Sequence, residues 1–224
     1  ARLLRIANSA SINRSGRPVT DLRAAINRIG YNMVRSASIA FSMAQIRKAS
    51  KLRGLEHHLN SLWERSSSVA AFAYVIARNC SKVNADEAML TGMMHGIGKL
   101  YVLTRAADHP ELFGNNSTLE DIIAQWHASI GKAILENWSF PEAMAAAVGE
   151  QDDLTRAVDG SADLGDVIAV AILMSTHRGD IPALEEMLKD VGAAERLGLD
   201  ASKISSVMTE SAAEVAALSE ALGA

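Results

Sequence analysis

The chain has 224 residues, 49% of them hydrophobic and 21% charged, which suffices for one substantial core or two small ones and excludes disorder over most of its length. Its 22 Lys and Arg against 26 Asp and Glu leave a net charge of -4, so no global attraction to phosphate backbones or anionic lipid is expected. Cys80 is the single cysteine, which rules out an intrachain disulfide or a thiolate zinc cluster, and neither a membrane span nor a secretory leader is read; a reducing cytoplasm is the expected compartment.

Helical periodicity runs from end to end, and alternating strand patterns are missing, so the class read is all-α. The opening Ala1-Arg2-Leu3-Leu4-Arg5-Ile6-Ala7-Asn8 starts inside an apolar helical pattern with no cap before it, and upstream residues are expected. After Ser15-Gly16-Arg17-Pro18, Thr20 is the expected N-cap of a helix carrying Leu22, Ala25, Ile26 and Ile29 and stopped by Gly30. A second helix is predicted over 33–51. The arginines of this lobe, Arg2, Arg5, Arg14, Arg17, Arg23, Arg28, Arg35, Arg47 and Arg53, are read as a solvated face.

A long helix from Leu55 to Cys80 would bury Leu59, Leu62, Trp63, Ser66, Val69, Ala70 and Ala73. Three capping-box patterns follow: Asn84 with Glu87, Ser117 with Glu120, and Ser139 with Glu142. They open the helices carrying His95, then Trp126 and His127, then the stretch after Pro141. The polar run 152–163 reads as a loop, Val167–His177 as a buried helix, Pro182 as the start of a short one, and the stretch after Asp200 as a final amphipathic helix. Residues 1–224 are read as a single unit with three parts: an N-terminal helical lobe (1–53), a core (54–153) and C-terminal helices (154–224).

Gly92, Gly96 and Gly98 crowd one segment, and each glycine inside a helix costs about 1 kcal/mol relative to alanine. Either a neighbouring helix packs against bare backbone there, or the helix ends near Gly98. A phosphate loop does not fit, because the spacing to Gly98-Lys99 is one residue too long and Leu100 replaces the required hydroxyl.

Four blocks in order carry a resemblance: Leu4-Arg5-Ile6-Ala7-Asn8-Ser9-Ala10; Asp21-Leu22-Arg23 through Ile29-Gly30; Leu62-Trp63-Glu64-Arg65-Ser66 through Val69-Ala70; and Gly92-Met93-Met94-His95-Gly96-Ile97-Gly98-Lys99-Leu100. Together they resemble the HDOD family, a bacterial signal-output relative of the HD and HD-GYP metal phosphohydrolases whose members share the fold and often lack the ligands. The resemblance covers about Ala1 to Asp153 closely and implies an HD-like helical bundle with an N-terminal helical lobe. It puts the enzymes' first histidine at Arg65, their His-Asp pair at His95 and Gly96, and a further histidine at His127. A later His-His pair would fall at Gly149-Glu150-Gln151 and a closing aspartate at Met174-Ser175. Only His95 and His127 remain as ligand-type residues.

A catalytic zinc commonly takes three protein ligands and keeps an open position. Two imidazoles are too few, and Arg65 adds permanent positive charge where a ligand should stand. The expected outcome is therefore no catalytic residue, no cofactor, and a polar remnant of Arg65, His95, Lys99, His127 and Glu150, with Glu150 pairing with Arg65 or accepting from His127. The competing readings are an anion or nucleotide pocket on Arg65, His95, Lys99 and His127, and a metal phosphohydrolase that recruits Glu150, Asp152 or Asp153. A nucleic-acid binder using the arginine-rich lobe is a further alternative, weakened because Tyr31 and Phe41 are the only aromatics there.

His57 and His58 are read as surface residues, His109 as a loop residue, His177 as lying near a helix C-terminus, and Cys80 as an inert buried thiol. Trp63, Trp126 and Trp138 are read as core, as are the methionines. The function implied by the resemblance is a non-catalytic signalling module acting on protein partners, with a homodimer left open and no membrane contact.

Overall fold

The computed structural model describes Leu4, Ala7, Asn8, residues 17–28, Gly30, Val34, Ser38, and residues 55–109, 116–158 and 160–222. The helix predicted over 33–51 lies almost wholly outside them. Among the described residues there is no strand, and the protein is all-α. No described helix is long and apolar enough to cross a membrane.

In the N-terminal lobe, helical residues 22–28 are capped by Asp21, whose Oδ1 accepts from the Ala24 amide at 2.8 Å, and not by Thr20. Asn8 brackets the preceding chain by exchanging two hydrogen bonds with the Val19 backbone, at 2.7 and 2.8 Å. Arg28, one of the supposed solvated arginines, donates to the Arg17 carbonyl at 2.9 Å and thereby ties the lobe together.

Nine helices follow among the described residues: α1 (Glu56–Cys80), α2 (Ala85–Met94), α3 (Ile97–Asp108), α4 (Asn116–Asn137), α5 (Glu142–Gly149), α6 (Leu164–Thr176), α7 (Ile181–Leu188), α8 (Gly192–Arg196) and α9 (Ala201–Leu222). The central element is α1, buried on every side from Ser66 to Ala73 and packed against α2, α3, α6 and α9. All seven residues of its predicted stripe are buried. Its many small side chains explain the closeness of α2: a Cβ on Gly92 would stand 2.8 Å from the Ala70 Cα.

Asn84 caps α2 as expected, accepting from the Glu87 amide at 3.0 Å. The other two capping signatures end differently. Helix α4 begins at Asn116, one residue before Ser117. Ser139 lies at a helix end and not at a start: its φ is 55°, and it closes α4 through Ser139 N to Glu136 O (2.9 Å) and Phe140 N to Leu135 O (3.0 Å). That pair of bonds is a Schellman stop, with serine in the left-handed position that glycine usually takes. Pro141 then caps α5 without a side-chain bond.

Helix α6 starts three residues earlier than Val167 because Asp163 and Asp166 form a reciprocal capping box there. Asp166 is 1% exposed and is gripped by Arg196 (Nε at 2.9 Å, Nη2 at 2.7 Å) and by Arg156 Nη2 at 3.0 Å. Arg156 also pairs with Asp163 and reaches Glu150 Oε2 at 3.5 Å. One ionic cluster thus fastens the loop after α5, the start of α6 and α8 together.

Candidate functional site

The segment around His95 is two helices, not one. Helix α2 stops at Met94, His95 and Gly96 form the joint, and α3 begins at Ile97. The glycines serve both purposes suggested by the sequence, since the chain breaks at Gly96 while Gly92 and Gly98 admit neighbouring backbones. A Cβ on Gly98 would fall 1.9 Å from the His127 carbonyl oxygen and 2.8 Å from the Gly131 amide. The close approach of α3 and α4 there sets His127 beside the joint.

Four parts of the chain converge at this point. From α1, Leu62 and Ser66 press on Gly96: a Cβ on it would stand 2.6 Å from Leu62 Cδ1 and 3.2 Å from Ser66 Oγ. From the end of α5, the buried Gln151 donates to the His95 carbonyl at 3.1 Å and to the Val148 carbonyl at 2.7 Å. From the next residue, the Asp152 Oδ2 takes a 3.0 Å contact from His127 Nε2. Arg65, one residue before Ser66, donates to the Thr176 hydroxyl at the end of α6, 2.6 Å away.

His95 is 1% exposed, and its Nδ1 lies 2.6 Å from the Gly92 carbonyl oxygen, so that nitrogen carries the proton and donates. Its Nε2 is a buried lone pair with no partner. Burial, with smaller repulsions from Lys99 and Arg65, holds the imidazole pKa down at about 3, and the ring is neutral at ordinary pH. His127 is 4% exposed and is oriented by Asp152, leaving its Nδ1 buried and without a partner. The Asp152 carboxyl is held below its ordinary value, first by the His127 hydrogen bond. Lys99, half-buried one turn beyond His95, is pushed down by burial and then by Arg65.

Of the residues expected to form the remnant, Arg65, His95, Lys99 and His127 gather here. Glu150 does not: it turns to Arg156, away from both Arg65 and His127. Asp153 turns inward on its own loop, accepting from Thr155 N at 3.0 Å and Thr155 Oγ1 at 2.7 Å. Of the two places expected for Glu150, the one at His127 is taken by Asp152, while Gln151 holds the His95 carbonyl and Arg65 turns to Thr176. Asp152 was legible only as one of three possible carboxylates, and Thr176 carried no signal in the sequence.

The donor set does not fit a divalent ion. His95 Nε2 is of the ligand kind, since a backbone carbonyl fixes the other nitrogen, but no carboxylate bonds to it, and the nearby Asp152 is turned to His127. Gly96 offers no carboxylate, His127 Nε2 is engaged with Asp152, and Arg65 and Lys99 bring positive charge. Among the described residues no three of His, Cys, Asp and Glu converge as a metal requires.

Two of the three tryptophans read as core are on the surface. Trp63 is 3% exposed, whereas Trp126 and Trp138 are 50% and 52% exposed. Trp138 and Tyr101 rim a groove of about 530 Å³ between α3 and α4, floored by Ile97, Leu100, Ile130 and Ile134. Cys80 is half-buried, and desolvation raises its pKa, as an unreactive thiol requires.

Comparison with solved structures gives the same fold. A presumed metal-dependent phosphohydrolase from Shewanella amazonensis SB2B is 26% identical, with a TM-score of 0.73 over 99% of this chain and 79% of that one. An HDOD domain protein of unknown function from Geobacter sulfurreducens is 22% identical, with a TM-score of 0.70 over 98% and 80%. A presumed signal transduction protein from Marinobacter aquaeolei VT8 is 14% identical, with a TM-score of 0.65 over 100% and 52%. No curated protein sequence matches. The HDOD domain pattern matches residues 1–154, which takes in the N-terminal lobe, the His95 joint, His127 and the Gln151–Asp152 turn, and the chain belongs to the HDOD family.

Proposed function

We propose that this protein is a non-catalytic signalling module that acts through contacts with protein partners, in a bacterial cytoplasmic system. The observation that carries the reading is the packing of Leu62 and Ser66 onto Gly96, at the point where the related hydrolases hold an aspartate. With Asp152 on His127 and two cations alongside, the joint is organised as a polar packing element and not as a Lewis-acid centre.

Influence on other molecules then has to come from the surface. Exposed tryptophans are the side chains most often found as interface anchors, and Trp126 and Trp138 are both available. The test combines two measurements. Elemental analysis of protein purified without chelators should find no stoichiometric iron, manganese or zinc; a stoichiometric metal lost in His95→Ala would overturn the proposal. Partners captured by the wild type should be lost with Trp126→Ala or Trp138→Ala and kept with His95→Gln.

A further inference from the structure

We propose that the His95–His127 joint is a self-occluded binding site for a phosphate-type oxyanion, with the Asp152 carboxylate standing in for the ligand. This inference rests on the reading above that no metal is held there. Its starting point is a charge imbalance. Arg65 and Lys99 are both half-buried, and neither makes an ion pair with a described residue; the polar contact of Arg65 is the neutral Thr176 hydroxyl. Charges withdrawn from water are ordinarily matched by an opposite charge, and the two cations of this joint have one between them, the Asp152 carboxylate, which acts on Lys99 without bonding to it.

The chain itself shows that an anionic oxygen is accepted there. Asp152 Oδ2 sits 3.0 Å from the Nε2 of a nearly buried histidine, while the Asp152 side chain is 59% exposed. A carboxylate so exposed can swing into water at little cost and leave the His127 donor for another acceptor. A phosphate oxygen has the same chemistry at that nitrogen, and its further oxygens can meet the guanidinium fork and the ammonium, which one carboxylate cannot do together. A phosphate-type dianion also balances two positive charges where Asp152 balances one. The joint is built to hold its shape during such an exchange, because Gln151 is fixed to the His95 carbonyl independently of the neighbouring Asp152 side chain.

The prediction has a sign that misfolding cannot imitate. Inorganic phosphate titrated into metal-stripped protein, followed by calorimetry, should bind Asp152→Asn about tenfold more tightly than wild type, since the competing charge is gone. Lys99→Met and Arg65→Gln should each weaken binding about tenfold in the Asp152→Asn background, with helicity unchanged by circular dichroism. A nucleoside monophosphate that displaces the ion identifies an ester as the source, and failure to displace it identifies the free ion. Affinity unchanged or lowered in Asp152→Asn, or insensitive to Lys99 and Arg65, overturns the inference and leaves the signalling proposal standing. Stoichiometric metal uptake abolished by His95→Ala overturns the signalling proposal and, with it, this inference.

Discussion

At the scale of single residues, the decisive position is Gly96, where a missing side chain is matched by a neighbour's presence. Introducing aspartate there pushes the tip of the Leu62 side chain aside and puts a carboxylate into a packed joint. Gly96→Asp should therefore cost about 1–3 kcal/mol in urea unfolding and bring no metal binding by elemental analysis. The sequence singled out His95 and His127, which the fold brings to one joint, because the motifs that carry them are local and helical. It misplaced Glu150, because on a turn at a helix end a shift of one residue decides which side chain faces inward, and no periodicity governs that choice. It also misread Trp126 and Trp138, whose apolar character says nothing about whether a neighbouring helix covers them.

At the scale of helices, two positions illustrate opposite uses of backbone freedom. Gly98 lets α3 lie against the α4 backbone, and the atom a methyl group would strike is a main-chain oxygen that cannot rotate away. Gly98→Ala should destabilise by about 3 kcal/mol in spite of alanine's better helix propensity. Ser139 is the reverse case: a residue with a Cβ holds the left-handed conformation at the end of α4. Ser139→Gly should raise stability by about 0.5–1 kcal/mol, seen as a higher melting temperature with α4 intact. The existence and order of the helices were legible from apolar spacing. Ser139 was read as a start because Ser-x-x-Glu is a start signal, and the preceding stop was hidden by its use of serine in place of glycine. The Asp163–Asp166 box was missed because the polar run around it looks like loop.

At the scale of the whole molecule, acid should dismantle the fold in two stages. The folded pKa of His95, about 3, lies below its unfolded value of 6.5, so its contribution is complete above pH 6.5 and is lost as pH falls from there toward 3. The full loss amounts to about 5 kcal/mol. Burial alone would raise the Asp166 carboxyl, but the Arg196 hydrogen bond and the Asp163 backbone bond outweigh it, and the net is a lowered value. Its stabilisation is present above the unfolded carboxylate pKa of about 3.9 and disappears as pH falls through the folded one. Urea midpoints should thus decline below pH 6.5 and more steeply below about pH 4. His95→Phe should remove the first decline, and Asp166→Asn should make the second shallower, leaving the parts due to Asp152 and Asp163, while costing about 3–5 kcal/mol at neutral pH, because Arg156 and Arg196 lose their shared counter-charge.

The seating of Leu62 against Gly96 also bears on history. An aspartate at 96 displaces only the tip of the Leu62 side chain, but it arrives beside Arg65 and Lys99 and without the further ligands a metal takes, so on the proposed reading one codon change restores no hydrolytic centre. On that reading, single changes at the joint gain nothing, and descendants of this chain are expected to vary at their surfaces while the joint stays as it is.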